Sequence, residues 1–104
     1  MIYNSVNSQA GIGIINYGSS TWNWILDIGY TANNRAGAAN ADTRGYYIGP
    51  GWCAKLFVFD LALANPYWVY VGTTGVGYHY PVNSSRIYGV EAHPAVYGGV
   101  HGCG

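Results

Sequence analysis

GWCAKLFVFDLALANPYWVYVGTTG, residues Gly51–Gly75, is the stretch from which the fold of this chain is read. It divides into two strands, Cys53–Leu61 and Tyr67–Val71, joined across Asn65-Pro66 and closed by Gly72-Thr73-Thr74-Gly75. Side chains alternate sides along a strand. Ala54, Leu56 and Val58 therefore share one face of the first strand, and Lys55, Phe57 and Phe59 share the other. In the second strand Tyr67, Val69 and Val71 oppose Trp68 and Tyr70. A half-solvated strand shows polar residues on one face, and neither of these does. Both faces are expected to be covered, by a second layer of the same chain or by another copy of it.

Turn signals recur along the rest of the chain at the spacing of a β-sandwich or barrel. Ile12–Tyr17 reads as a strand ended by Gly18-Ser19-Ser20. Thr21–Tyr30 follows, with Trp22, Trp24, Leu26, Ile28 and Tyr30 on one face. Tyr46–Ile48 is stopped by Gly49-Pro50-Gly51. Val76–Val82, Arg86–Ala92 and Ala95–Val100 complete the set, with Asn83-Ser84-Ser85 as a turn that also fits the N-glycosylation sequon. Thr31–Gly45 has no strand pattern. A loop of that length in a compact domain is unusual and often functional, although Arg35–Asp42 has enough alanine for a short helix. The expected fold is all-β: a small single-domain antiparallel β-sandwich of about seven to eight short strands, of jelly-roll or Greek-key type, with one long loop. Residues 1–10 are expected to form an extended N-terminal arm, and residues 11–104 the single β domain.

Composition narrows the function. The chain has 104 residues, room for one core, and only 8% of them are charged, with a formal net charge of zero. There is no cluster of Lys and Arg to displace counterions from a phosphate backbone, so nucleic acid is not an expected partner. No apolar run is long enough for a membrane helix, and no membrane insertion is expected. No basic region followed by an apolar stretch opens the chain, so no secretory signal is read in these residues. The compartment stays unassigned, with a virion or extracellular setting the expectation. A surface with so few charges is poorly protected against self-association.

Cys53 and Cys103 are the only cysteines. One internal bridge would close a loop of about 50 residues and contribute about 4 kcal/mol. Two reduced thiols, or an intermolecular bridge through Cys103, are the alternatives; the internal pair is the reading taken here. His79, His93 and His101 beside Cys103 lack the paired CxxC or HxxxH spacing of a zinc site, so no metal or other cofactor is expected. A nucleophile, a carboxylate pair and a phosphate-binding glycine loop are all without a recognisable pattern, and no catalytic residue is assigned.

The 11 tyrosines are the remaining departure from average. Tyr46, Tyr47, Tyr67, Tyr70, Tyr78, Tyr80, Tyr88 and Tyr97 are too many for one small core to bury with every hydroxyl satisfied. Tyrosine is enriched at protein interfaces. Ile2, Tyr3, Tyr67, Trp68, Tyr70, Tyr78 and Tyr80 are therefore the candidate interface residues, with copies of the same chain as the partner. The expected function is a non-enzymatic structural subunit of a self-associating symmetric assembly, such as a virion surface or tail component or an extracellular filament. The alternative is a small lectin-like module binding glycans through Trp52, Tyr46, Tyr47, Asn33 and Asn34, since sugars are held by stacking plus neutral hydrogen bonds. A third reading, a secreted toxin or hydrolase, would place its chemistry on Arg35, Asp42 and Arg44 in the Thr31–Gly45 loop.

Overall fold

In a computed structural model of the chain, which describes residues 1–16, 18–32, 43–81, 86–95 and 102–103, the order of elements is β1 (Ile2–Asn4), β2 (Ile12–Asn16), β3 (Trp24–Leu26), β4 (Thr43–Ile48), β5 (Trp52–Asp60), β6 (Trp68–Thr74), β7 (Gly77–His79) and β8 (Arg86–Pro94). They form two four-stranded sheets, one in the order β1-β8-β5-β6 and the other β3-β2-β4-β7. From β5 onward the path is that of a Greek key: β6 returns beside β5, β7 crosses to the edge of the second sheet, and β8 comes back to lie on the far side of β5. The expected β-sandwich is what the chain builds. Among the described residues no strand pairs in parallel except β1 with β8.

The core lies between the sheets. Ile2, Ala54, Tyr88, Val90 and Ala92 of the first face Ile12, Ile14, Trp24, Leu26, Tyr46 and Ile48 of the second, with Trp52, Leu56 and Val58 packed at the margin. The inward set of β5 is thus the alternate residues that the sequence pattern grouped together. Tyr46 is the largest side chain buried completely, and its hydroxyl spans the interior to share a 3.1 Å hydrogen bond with Thr74 Oγ1 of the opposite sheet. Burial pushes the Tyr46 phenol above its ordinary value, with the Thr74 bond acting the other way.

Three expectations take a different form. Thr21–Tyr30 is strand only over Trp24–Leu26. Gly29, at φ 85°, turns the chain, and Tyr30 N–H closes the turn on Asp27 C=O at 3.2 Å. Trp22, Ile28 and Tyr30 are consequently exposed, while Trp24 and Leu26 of the same expected face are buried. Second, Gly72-Thr73-Thr74 does not close β6 but continues it. The register steps from Leu56↔Gly72 to Phe57↔Tyr70, leaving Val71 as a bulge.

Third, the segment 1–10, expected as an extended arm, is bonded to its own chain. Ser5 N–H and Gln9 N–H donate to Val90 and Ala92 carbonyls at 2.9 and 2.8 Å. Asn4 Nδ2 donates to the carbonyls of Ala10 and Leu26, both at 3.0 Å. Ser8 Oγ both donates to Val90 C=O and accepts from Ala92 N–H. Ile2 is 2% exposed, so it belongs to the core. Residues 33–42, 82–85 and 96–101 fall outside the described set, and with them the short helix, the sequon turn, the strand at Ala95–Val100, and Tyr97 and His101.

Candidate functional site

The two lateral sides of the sandwich differ. On one, β1 is sealed: Tyr3 bridges Thr31, Asn4 N–H donates to Tyr30 C=O at 3.0 Å, and Gly29 N–H donates to Asn4 C=O at 2.7 Å. On the other, β6 and β7 are the outermost strands of their sheets and are joined through Gly75 and Val76. Among the described residues, the outer row of N–H and C=O groups on β6 has no strand beside it. Tyr67 (64%), Trp68 (43%), Tyr70 (51%) and Val71 (53%) are exposed in succession here, with Val69 between them. Leu61 and Leu63 in the preceding turn, Val76, and Tyr78 and Tyr80 at β7 extend the same apolar side. β6 contains no charged residue. Edge strands are normally defended by lysine, proline or a bulge; of these β6 has only the bulge at Val71.

Of the seven candidate interface residues, five are exposed and Tyr3 is half-buried. Tyr67, Trp68, Tyr70, Tyr78 and Tyr80 gather along the β6–β7 side, while Tyr3 lies at the opposite end of the first sheet's outer face. Ile2 is in the core. The expected cover over both faces of the β5–β6 pair is only half present. The second sheet covers the inner face, whereas the outer face is paved by its own rings: Trp68 lies against Phe59 (5.1 Å between centroids) and Tyr3 (5.8 Å), and Tyr70 against Phe57 (5.4 Å).

The residues proposed for glycan contact do not form one group. Tyr47 and Trp52 line a groove of about 220 Å³ with Gly11, Gly13, Trp22 and Ile25, bordered by residues of both sheets. Tyr46, adjacent in sequence to Tyr47, points into the core instead, as alternation requires. Asn33 and Asn34 lie outside the described residues, as do Arg35 and Asp42. Arg44 is engaged structurally: its Nη1 donates to Ser19 C=O at 2.8 Å, and the guanidinium sits 4.7 Å from the centre of the Tyr80 ring.

A second groove, of about 320 Å³, crosses the outside of the first sheet between Tyr3 and Trp68. It has Gly89 as its floor, Phe57 alongside, and Ser5, Asn7 and Glu91 at its rim. None of Gly89, Phe57, Glu91, Ser5 and Asn7 is singled out by sequence reasoning. The available signal is Gly89 itself, since a lone glycine inside a strand pattern marks a close approach. Built onto Gly89, a Cβ would lie 2.8 Å from the Trp68 ring, so the indole needs a residue without a side chain beneath it.

Electrostatically these surfaces are quiet. The ion pairs among the described residues are Arg86–Asp60 at 3.7 Å and His93–Glu91 at 2.9 Å, and His93 Nδ1 also meets Gln9 Oε1 at 3.2 Å. No three His, Cys, Asp or Glu side chains among the described residues converge as a metal site would need. Cys53 and Cys103 are disulfide-bonded, with Cα atoms 6.1 Å apart, so the candidate pair is joined. Compared with protein-family models, curated proteins and solved structures, the chain gives no match to any of the three.

Proposed function

We propose that the protein is a non-enzymatic structural subunit that assembles with copies of itself through the β6–β7 side. The observation that carries this reading is β6: an outermost strand, uncharged along its length, with apolar side chains exposed on both faces. An unpaired edge of this kind is a template for strand addition, in which main-chain hydrogen bonds supply affinity. A second copy is the natural occupant because β6 has no charge to repel its own image. Antiparallel pairing of β6 with its counterpart is two-fold symmetric and self-complementary. It would join two four-stranded sheets into one continuous sheet and cover Val69, Val71 and their neighbours. The disulfide suits an oxidising setting, consistent with a virion surface or tail component or an extracellular filament.

The test is sedimentation velocity on the parent chain and on Val69→Lys/Val71→Lys. Lysine on an edge strand places like charges against each other across the two-fold axis. The parent is expected to sediment as a dimer or larger species, and the double variant as an 11.2 kDa monomer with unchanged β-sheet circular dichroism. A parent that stays monomeric at millimolar concentration would sink the proposal.

A further inference from the structure

We infer that the groove between Tyr3 and Trp68 is a binding site for a neutral glycan, with the indole of Trp68 as the stacking platform. Trp68 belongs to the outermost strand, yet its ring leans inward across β5 and rests on the bare backbone of Gly89 in β8. Tyr3 flanks it with ring planes 29° apart, and Phe59 supports it from the other side. The ring is thus held in place by three elements of the sheet while 43% of the residue remains open to solvent. A large aromatic surface already ordered before binding loses little entropy on contact. The apolar face of a pyranose ring matches such a surface.

Stacking alone does not select a sugar; hydroxyl groups must also find partners. Ser5, Asn7 and Glu91 stand at the rim within the same groove. The rim is shaped by its own turn: Asn7 N–H donates to Ser5 Oγ at 3.1 Å, and Val6 N–H donates to the Tyr3 hydroxyl at 3.3 Å. Glu91 uses Oε1 toward His93, which leaves its second carboxylate oxygen without a partner among the described residues. A groove of about 320 Å³ is at the small end of the range for ligand sites, suited to one or two sugar rings. The other groove, around Tyr47 and Trp52, is lined by glycine, alanine and isoleucine apart from its aromatics, and has no rim of Ser, Asn or Glu side chains.

Charge separates a glycan from the other ligands that stack on aromatic rings. On this face Lys55 stands opposite Glu91 in register, one charge of each sign, whereas the Arg86–Asp60 pair has the parity of the other face. The balance is neutral, so nothing draws a phosphate backbone. The site is distinct from the self-association edge, because strand addition uses the outward main-chain groups of β6, whereas the groove lies on the sheet face. Edge pairing would set two grooves on one continuous sheet and raise avidity for a repeating polymer.

The experiment is calorimetric titration with soluble gluco-, manno- and chito-oligosaccharides, performed on the parent and on Val69→Lys/Val71→Lys so that loss of assembly is read separately from loss of binding. At least one series should bind both proteins. In the parent background Trp68→Ala and Asn7→Ala should each weaken that binding at least tenfold, and Trp52→Ala should leave it unchanged. If Trp68→Ala does not fold, Trp68→Phe and Glu91→Gln take its place, with weakening again the expected result. Three results would overturn the site: no oligosaccharide bound at millimolar concentration, affinity insensitive to the groove variants, or single-stranded oligonucleotide bound in preference to any sugar.

Discussion

Tyr46 shows how much one side chain contributes to joining the sheets. It is wholly buried on β4, and its hydroxyl reaches Thr74 on β6. Tyr46→Phe keeps the ring and removes the hydrogen bond, leaving Thr74 to find another partner. The expected cost is about 1 kcal/mol by urea unfolding. The same residue makes a pH prediction. Burial raises its pKa above the ordinary 10.0, so in strong alkali the unfolded chain releases this proton before the folded one does. The contribution to stability is complete below pH 10 and is lost as pH rises from there through the folded value. Unfolding free energy should fall in that window, and by less in Tyr46→Phe; equal alkaline losses in both proteins would contradict the assignment. Ile2, almost at the start of the chain, makes a comparable test. Its burial against β8 and β2 residues predicts that Ile2→Ala costs about 2–5 kcal/mol, far more than a change in a loose terminus would.

At the scale of elements, the segment 1–10 and the disulfide hold β8 and β5 from either end. The bonds from Ser5, Ser8 and Gln9 run to β8, and Cys53 at the start of β5 is tied to Cys103. Deleting residues 1–10 should abolish cooperative unfolding, measured by circular dichroism in urea, because β8 would lose its parallel partner and the core would lose Ile2. Reduction should cost about 4 kcal/mol in the chain-entropy account of a loop of about 50 residues, read as a lower thermal midpoint with reductant.

These elements also show what was legible in the sequence. Alternation in Cys53–Phe59 locates β5 and its inward face correctly, since both follow from period two alone. The exposure of Tyr67, Tyr70, Tyr78 and Tyr80 is legible from composition, which has more rings than a small core can take. The strand at Thr21–Tyr30 misleads because alternation persists through Gly29, where a positive φ ends the ladder. The partner of residues 1–10 could not be read, because parallel pairing with β8 joins segments at opposite ends of the sequence. The groove at Trp68 depends on an indole crossing one strand to rest on another, a relation that only the sheet order reveals.

For the whole molecule, one side of the sandwich is closed by its own main-chain hydrogen bonds and the other is left as an uncharged edge. The proposed assembly puts the added copy at β6. The most direct measurement is amide hydrogen exchange of β6, Trp68–Thr74, at low and high protein concentration. The amides facing away from β5 should exchange freely when dilute and become protected, together and in proportion to the assembled fraction, as concentration rises. If those amides exchange equally fast at both concentrations while the protein is assembled, β6 is not the contact and the account is wrong.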